Sequence, residues 1–550
     1  MKNLYFLIAI LAIYSCKDQD SPAQLQTADF IINSARIYTV DDQFSTSQAM
    51  AVKDGKILAT GTNEEINSLY ESDDVRNLTG QFIYPGLIDA HCHFYGLGQQ
   101  LQRVDLVGTV SFEEVVDRVN DFQEANKKSF IIGRGWDQND WEEKAFPSNE
   151  ELNRLFPSTP VALTRVDGHA MLVNNAALKA AGITNETKVA GGDIEVRDGQ
   201  LTGILIDNPM EMVEKVFPRE TTAVAIKSLM DAQEINFAYG LTTVDDAGLH
   251  RDTIELIDSL QQVGQLKIKV YAMISNTPEN LDYYLEKGII KTDRLNVRSV
   301  KFYADGALGS RGAAMKQPYT DRHDHYGALL SSIADFEGTA QRIAASDYQM
   351  NTHAIGDSAN YVVLKAYDKF LKGKSDKRWR IEHAQIVDPQ DFGLFDKENI
   401  LPSVQPTHAT SDMYWAQDRV GEKRMKGAYA YKKLLSESGM LALGTDYPVE
   451  QVNPFLTFYA AVARQDTAGY PEEGFISSQA LSREEALRGM TIWAAYSNFE
   501  EQEKGSLETG KAADFIIMDT DLMEVDMRQV PTLEVVATYV NGELVYSQGS

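Results

Sequence analysis

The feature that most constrains the fold of this chain is a long alternation of short apolar strands and helical segments. Besides a strand that ends at His91, the strand-like stretches are residues 130–133, 161–166, 241–245, 268–274, 297–304, 350–355, 379–383, 401–407 and 441–445. Helical patterns occupy residues 112–126, 222–239, 358–371 and 483–493. Strands that are apolar on both faces predict a parallel sheet covered by helices, and the number of units favours an α/β protein with a (β/α)₈ TIM barrel.

The alternation contains more strands than the eight that a barrel needs. We assign the excess to an insertion at about residues 130–215. There, Gly191-Gly192 and the polar stretches 193–197 and 201–206 indicate a hairpin outside the barrel. Before it, Ser111 is a candidate N-cap for the helix at 112–126, and Glu114 three residues later predicts a capping box.

The two ends of the chain have sequence patterns typical of small β-sheets. Strand patterns at 30–40, 49–52 and 56–60 are matched by others at 513–518 and 535–545. Asp54-Gly55 and Asn541-Gly542 predict two-residue hairpin turns. A chain of 550 residues exceeds what one core usually organises. We therefore expect residues 29–84 and 503–550 to form one composite β-sandwich beside a barrel of residues 85–502.

The first 15 residues of the chain predict that the protein is exported. Lys2 precedes an apolar run at 4–13, which is too short for the roughly 20 residues that span a bilayer. Residues 1–15 therefore indicate a signal segment, followed by a polar tether at 16–28. The pattern resembles a bacterial lipoprotein signal, which implies lipid on Cys16 and a membrane-anchored protein in the periplasm or at the cell surface. A plain secretory signal with an incidental cysteine is the alternative.

The charge of the chain limits its partners. A formal net charge of −28 argues against nucleic acid or an anionic membrane surface as a ligand, because both are polyanions. The sequence contains no cluster of lysine and arginine. We expect a small-molecule substrate, membrane contact only through an N-terminal lipid, and leave a homo-oligomer open.

Polar residues with metal-binding chemistry stand at the ends of the predicted barrel strands. His91 and His93 are two residues apart, so an extended strand directs both to one side and Cys92 to the other. Such a pair alone is as often incidental as functional. Other residues of this kind close later strands: Lys301, His353, His383 and Asp446. Each has an ordinary structural explanation, but their joint placement where barrel enzymes carry their chemistry indicates a metal site.

Several segments of the chain, including these residues, resemble motifs of a known enzyme family. The run Pro85-Gly-Leu-Ile-Asp-Ala-His-Cys-His93 resembles the first-strand signature of the amidohydrolase superfamily. Asp167-Gly-His169 and residues 301–311 resemble the branch called amidohydrolase type 3, which includes N-substituted formamide deformylases. The resemblance extends from Asp29 to the C-terminus. It implies a metal-dependent hydrolase barrel with a composite β-sandwich, and it leaves the substrate open.

The ligand set implied by this resemblance comprises His91, His93, Lys301, His353, His383 and Asp446. Neutral imidazoles and a carboxylate suit Zn²⁺ or a similar ion, so we expect one or two divalent metal ions, with zinc foremost. A protonated lysine cannot bind a cation. In related hydrolases such a lysine reacts with CO₂ to form a carbamate that bridges two metals, which is the role implied for Lys301. The alternative is an unmodified Lys301 that orients substrate beside one metal.

The expected reaction is hydrolysis of a non-peptide C–N bond in an amide or formamide. A bound metal activates water and polarises a carbonyl, and Asp446 is the candidate general base. Two alternatives are a mononuclear metal deaminase, which would not need Lys301 as a bridge, and a non-catalytic, metal-containing solute-binding lipoprotein. Candidate substrate-binding residues, for which ordinary packing is an equal alternative, are His169, Arg311, Trp136 and His408.

Overall fold

The computed structural model describes residues 25–549 except 167, 169, 190–191, 375 and 397–398. The proposed signal segment and Cys16 lie outside these residues, so export and lipidation stay predictions. The tether predicted for 16–28 is wrong at its end, because Gln26–Thr27 form a parallel strand pair with Tyr70–Glu71. Within the described part of the chain, no helix has both the length and the apolar character needed to cross a bilayer.

Eight parallel strands form the predicted TIM barrel. In spatial and chain order they are β1 (Leu87–Cys92), β2 (Leu241–Leu249), β3 (Lys269–Ser275), β4 (Leu295–Tyr303), β5 (Gln349–Ala354), β6 (Arg380–His383), β7 (Leu401–Val404) and β8 (Ala442–Leu443). A short strand, Ile290–Lys291, adds to β4. Backbone hydrogen bonds of 2.8 Å from Asp446 N to His91 O and from His93 N to Tyr447 O link β1 to the segment after β8. These bonds join the carboxyl ends of the first and last strands, at the face of the barrel that carries the candidate metal ligands.

Helices cover the outside of the barrel and fill its connections. Between β1 and β8 they are Phe94–Leu101, Thr222–Ala238, Arg251–Gln262, Pro278–Lys287, Ile333–Ala344, Asp357–Leu371, Pro406–Asp412, Ala416–Met425 and Tyr431–Ser438, with a 3₁₀ turn at Phe392–Leu394. After β8 come Pro454–Ala463, a 3₁₀ turn at Ser477–Gln479, Arg483–Gly489 and Ile492–Ser497. The single helix predicted for 483–493 is thus two helices, because Thr491 has non-helical backbone angles (φ −141°, ψ −97°).

A six-stranded sheet is inserted between β1 and β2. Its strands, in spatial order, are Val104–Asp105, Ile131–Trp136, Val161–Arg165, Ala170–Val173, Gln200–Asp207 and Gly192–Arg197. Its helices are Phe112–Asn126, Glu150–Leu155, Asn175–Ala180 and Met210–Glu214, with a 3₁₀ turn at Gln138–Asp140. The insertion therefore begins near Val104 rather than at 130, because Val104 shares an apolar core with Val115 and Ile131.

The helix Phe112–Asn126 begins where the sequence predicts. Ser111 caps it, since its hydroxyl accepts a hydrogen bond from Glu114 N at 3.2 Å. The second half of the predicted capping box is wrong. The Glu114 carboxylate accepts its hydrogen bond from Val110 N at 2.9 Å, one residue earlier than the box requires.

Both chain ends build the two remaining sheets. One has the strand order Lys56–Gly61, Ala49–Lys53, Phe30–Asn33 and Val75–Asn77, with the helix Asn63–Leu69 beside it. The other has the order Glu543–Ser547, Ala537–Val540, Phe515–Met518, Phe82–Pro85, Arg36–Tyr38 and Thr46–Ser47, with a 3₁₀ segment at Met527–Thr532. A shared core joins Ile32, Met50 and Ile83 to Phe515, so the composite β-domain is present.

Local turns explain how these terminal sheets differ from the predicted strands. Asp54-Gly55 and Asn541-Gly542 all have positive φ, as the predicted hairpin turns require. The single strand predicted for 30–40 is two strands in different sheets. Ser34, at φ 61°, turns the chain between them.

Candidate metal centre

The carboxyl ends of the barrel strands bring the predicted ligands together. His91 lies in β1 and Lys301 in β4, whereas His383 ends β6 and Asp446 follows β8 by three residues. His353 lies in β5, next to the end of that strand. His91, Lys301, His383 and Asp446 are buried. Ionisable groups at these positions must therefore interact with one another rather than with bulk water.

His91 is held by contacts on both ring nitrogens. Its Nδ1 lies 2.5 Å from Glu382 Oε2, a carboxylate that can only accept, so we assign the ring proton to Nδ1. Its Nε2 lies 3.0 Å from Lys301 Nζ and 3.6 Å from Asp446 Oδ1. The lone pair of Nε2 consequently faces the centre of the cluster.

His93 is oriented in the same way by a different acceptor. Its Nδ1 donates to the carbonyl oxygen of Ala247 at 3.1 Å, and its Nε2 lies 3.2 Å from Asp446 Oδ1. Cys92 points away, as its place on the strand predicts, and its thiol donates to the carbonyl of Asp245 at 3.6 Å. Burial raises the pKa of the Cys92 thiol well above its ordinary value, so this residue stays protonated.

Three further imidazoles adjoin this pair. The rings of His353 and His383 are 4.5 Å apart between centroids, and the ring of His408 stacks on that of His383 at 5.7 Å. His408 Nε2 lies 3.5 Å from Asp446 Oδ2. Among the residues described, three buried ring nitrogens at this centre make no hydrogen bond: His353 Nε2, His383 Nδ1 and His408 Nε2. Buried polar atoms are normally paired, so these nitrogens fit metal ligation.

The environment sets the protonation states that a metal needs. Burial lowers the pKa of His91 to about 4 and that of His353 to about 3, and it lowers the pKa of His383 well below its ordinary value. Burial alone would raise the pKa of Asp446, but the adjacent ring of His93 and the other imidazoles nearby hold it well below its ordinary value. The site thus combines neutral imidazoles with an ionised carboxylate, the donor set of zinc and similar ions.

Lys301 is the cationic member of the centre. Burial lowers its pKa to about 8, against the opposing effect of Glu382 and Asp446. The nearby carboxylate of Asp305 makes its hydrogen bonds with backbone groups, the N–H groups of Ala314, Ile355 and Gly356, at 2.8–3.0 Å.

A buried charged network supports the centre from inside the barrel. Glu382 pairs with Arg380 at 2.8 Å, and Arg380 also pairs with Asp245 at 2.8 Å. Burial alone would raise the pKa of Glu382, but Arg380 and His91 lower it to about 2. Sequence reasoning missed Glu382. The available signal was the spacing of Arg380 and Glu382, two charges on the same side of a buried strand.

The four candidate substrate-binding residues have different locations. His408 lies at the centre, as described above. Arg311 is paired with Asp321 through two hydrogen bonds of 3.1 and 2.8 Å. Trp136 is buried in the core of the inserted sheet, where its indole N–H donates to the carbonyl of Leu163 at 2.7 Å. His169 lies outside the described residues.

A cleft of about 540 Å³ lies between the helix Phe94–Leu101 and the inserted sheet, and the ligands of the centre are not among its lining residues. Its lining includes Gly96, three residues after His93, and Pro448, two residues after Asp446. Arg103 and Arg134 line its other side. Its volume is in the range of small-molecule sites.

Two groups of residues at this centre have the spacing that a metal ion needs. The first comprises His91, His93 and Asp446, and the second comprises His383, His408 and Asp446. Within each group the ligand atoms lie within 4.8 Å of one another. The structure therefore brings together the predicted H-x-H pair and the predicted aspartate, and it adds His408 to them.

Comparison with known proteins gives consistent matches. The model of the family described as "Amidohydrolase family" matches residues 74–546. The putative amidohydrolase YtcJ of Bacillus subtilis is 30% identical over 93% of this chain and 98% of its own length. N-substituted formamide deformylase of Arthrobacter pascens is 25% identical over 95% of this chain and 99% of its own length. An uncharacterised metal-dependent hydrolase from Pyrococcus horikoshii matches with a TM-score of 0.77 and 28% identity, covering 90% of this chain and 99% of its own.

Proposed function

Since this chain belongs to the amidohydrolase family, in its type 3 branch, and is a metal-dependent hydrolase, we propose that it cleaves a non-peptide C–N bond of the amide or formamide type. One observation carries the proposal. Neutral imidazoles and the ionised Asp446 converge at the carboxyl ends of the barrel strands. The mononuclear deaminase and the solute-binding lipoprotein find no support in the matched relatives.

The residues that would hold the metal are preorganised for it. Glu382 fixes the ring of His91, and the carbonyl of Ala247 fixes that of His93, so the Nε2 atoms of both point at the centre. When bound, a divalent ion such as zinc supplies activation of water and polarisation of the substrate carbonyl. The ligands are mostly buried, which limits the access of bulk water to the centre.

Asp446 is the residue that would move the proton. Its carboxylate is ionised in the folded protein, and both of its oxygens face the centre, Oδ1 towards His93 and Oδ2 towards His408. In this role Asp446 takes a proton from the attacking water and delivers it to the departing nitrogen. The products are an acid and an amine.

Lys301 is proposed to act as a carbamate. Its Nζ is buried 3.0 Å from His91 Nε2, and a neutral amine at this position can react with CO₂ to give an anionic ligand. Burial favours the neutral amine because it disfavours the charged ammonium. The carbamate would replace a buried cation by an anion beside the metal.

The substrate class rests on a relative and on the cleft. The A. pascens relative is named an N-substituted formamide deformylase, which supports a formyl or small acyl group on nitrogen as the reacting unit. The cleft lined by Gly96 and Pro448 would provide room for the amine portion. A small molecule fits this volume, in agreement with the charge of the chain, which disfavours polyanionic ligands.

A screen of N-formyl and N-acyl amines tests the proposal. Purified, zinc-supplemented protein is expected to release free amine from members of this set, and His91→Ala protein is expected to release none. His323→Ala, which removes an exposed imidazole, is the matched control and should behave like the wild type. Absence of amine release across both sets from folded, metal-loaded wild-type protein would refute the proposed reaction.

A further inference from the structure

The cleft between the helix Phe94–Leu101 and the inserted sheet carries two arginines. Arg103 lies between the end of this helix and the first strand of the inserted sheet, and Arg134 lies in the second strand of that sheet. Both side chains are exposed. The chain has 80 acidic residues against 52 lysines and arginines, so carboxylates available for pairing with a cation are in excess. Two arginines that nevertheless stay without a carboxylate partner in one cleft would indicate a site for an anionic ligand.

Neither arginine forms an ion pair with a carboxylate in the described part of the chain. Arg134 Nη2 donates to the carbonyl of Val166 at 3.3 Å, which holds the guanidinium at the wall of the cleft. Asp105 lies opposite Arg134 in the strand register, but its Oδ1 accepts a hydrogen bond from Val107 N at 3.0 Å instead. Because a guanidinium carries five N–H donors, most donors of Arg103 and Arg134 stay available for a ligand.

Apolar side chains line the same cleft. Val107, Val166 and Val449 are exposed there, and Pro448 adjoins Val449. In small-molecule sites, apolar surface binds the apolar part of the ligand, whereas a few polar groups fix its orientation. The cleft therefore suits a small molecule that has an apolar segment and an anionic end.

The cleft adjoins the metal centre through two backbone segments. Gly96 lies three residues after His93, and a Cβ atom added at Gly96 would lie 3.2 Å from His93 Cβ. On the other segment, Val449 N donates to the carbonyl of Asp446 at 2.9 Å. The side chain of His93 is 28% exposed, against 8% for that of Asp446. The ligand whose backbone adjoins the cleft is thus the one that a small molecule can reach more easily.

The helix Phe94–Leu101 sets the distance between the centre and the arginines. Gly96 and Leu101 are five residues apart in this helix, which corresponds to roughly 7.5 Å along its axis. Arg103 lies two residues beyond Leu101, on the side away from His93. An anionic group bound by Arg103 is therefore separated from an amide at the metal by more than the single carbon atom of an α-amino acid.

We propose that this cleft binds the amine portion of the substrate, and that this portion is an apolar chain ending in a carboxylate held by Arg103 and Arg134. The inference rests on the proposed cleavage of an amide or formamide and names its substrate class, the N-acyl or N-formyl ω-amino carboxylates. Guanidinium groups bind a carboxylate through two parallel hydrogen bonds, so a pair of arginines selects this group. The two cations also attract an anion to one place on a protein of strongly negative net charge.

A pair of substrates tests the assignment. N-formyl-ε-aminocaproate carries the carboxylate, and N-formylhexylamine has a chain of the same length without it. Amine release by zinc-loaded protein is measured for wild type, Arg103→Met, Arg134→Met, the double variant and Arg154→Met. Methionine keeps an unbranched apolar side chain and removes the charge. Arg154→Met is the matched control, because Arg154 is an exposed arginine of the inserted segment that does not line the cleft.

We expect wild type and Arg154→Met to prefer the carboxylate substrate by about 10-fold in kcat/KM, and the double variant to show no preference. The loss should appear as a higher KM with kcat little changed, because the arginines bind the amine portion rather than the reacting bond. Turnover of N-formylhexylamine should be the same in all variants. A wild type without preference, or a preference that persists in the double variant, would overturn the inference.

Binding of hexanoate separates this inference from the proposed reaction. Isothermal titration calorimetry with zinc-loaded protein should show that hexanoate binds the double variant about 10-fold more weakly than the wild type, whether or not amine is released. A carboxylate that bound only at the metal would be insensitive to both substitutions, and this result would contradict the inference. Amine release from both substrates, with equal hexanoate binding by wild type and double variant, would leave the proposed function intact while removing this substrate class.

Discussion

Glu382 Oε2 lies 2.5 Å from His91 Nδ1, and both side chains are fully buried although 291 residues separate them in the chain. The carboxylate fixes the tautomer of His91 and directs its Nε2 at the centre. Such a partner also raises the basicity of a ligating imidazole. The pair thus connects the charged network inside the barrel to the metal centre.

Glu382→Gln is predicted to weaken zinc binding at the metal centre by about 10- to 100-fold, because the neutral amide holds the ring of His91 less firmly. Competition with a zinc-sensitive dye measures this affinity. Glu422→Gln, at an exposed position, is the control and should bind like the wild type. Unchanged zinc affinity in folded Glu382→Gln protein would show that the contact does not position His91.

The protein is predicted to retain its metal at pH values below about 6.5, the ordinary pKa of an imidazole. Burial lowers the pKa of His91 to about 4 and that of His353 to about 3. A base with a lowered pKa keeps its neutral, ligating form at lower pH, so protons displace the metal only at more acidic pH. Zinc content after dialysis between pH 7.5 and 4 checks this, and half-loss at or above about pH 6.5 would contradict it.

Carbamylation of Lys301 is predicted to appear in metal-loaded protein supplied with ¹³C-bicarbonate. Nuclear magnetic resonance should show one carbamate carbon, and Lys301→Arg should abolish that signal. Lys269 is also buried but is paired with Asp514 at 2.6 Å, so Lys269→Arg is the control and should retain the signal. A spectrum without a carbamate signal in the wild type would favour the unmodified lysine.

Asp446→Asn is predicted to lower kcat by at least about 10²-fold on any substrate that the amine screen identifies, because an amide cannot accept the proton. Rates are compared at matched zinc content, since Asp446 also contributes to metal binding. Turnover near that of the wild type would exclude Asp446 from proton transfer.

Much of the barrel was predictable because each strand and helix is indicated by the pattern of apolar residues within its own short segment. A strand such as β3 is apolar on both faces over its five central residues, 270–274, which few other structures allow. Polar residues at strand ends could be anticipated for the same reason: a regular barrel sends every carboxyl end to one face. His91, His93 and Asp446 therefore came together as the sequence pattern indicates.

The remaining features depend on contacts between distant segments. Glu382 on β6 meets His91 on β1 across the barrel interior, although these strands are not neighbours in the sheet. Their contact depends on how the whole barrel closes, which the sequence of neither strand contains. Trp136 was a candidate for the pocket, but the fold of the inserted sheet places it in a core. His408 was a weak candidate because a lone histidine has many roles, and its contacts with Asp446 and His383 become visible only in the folded chain.

The most direct test of the account is metal dependence of amine release. Wild-type protein is depleted with a chelator, shown by circular dichroism to remain folded, and then titrated with zinc while amine release from an N-formyl or N-acyl amine is followed. We predict that depletion abolishes release and that zinc restores it in proportion to the metal bound. Amine release that continues unchanged in verified metal-free protein would contradict the account.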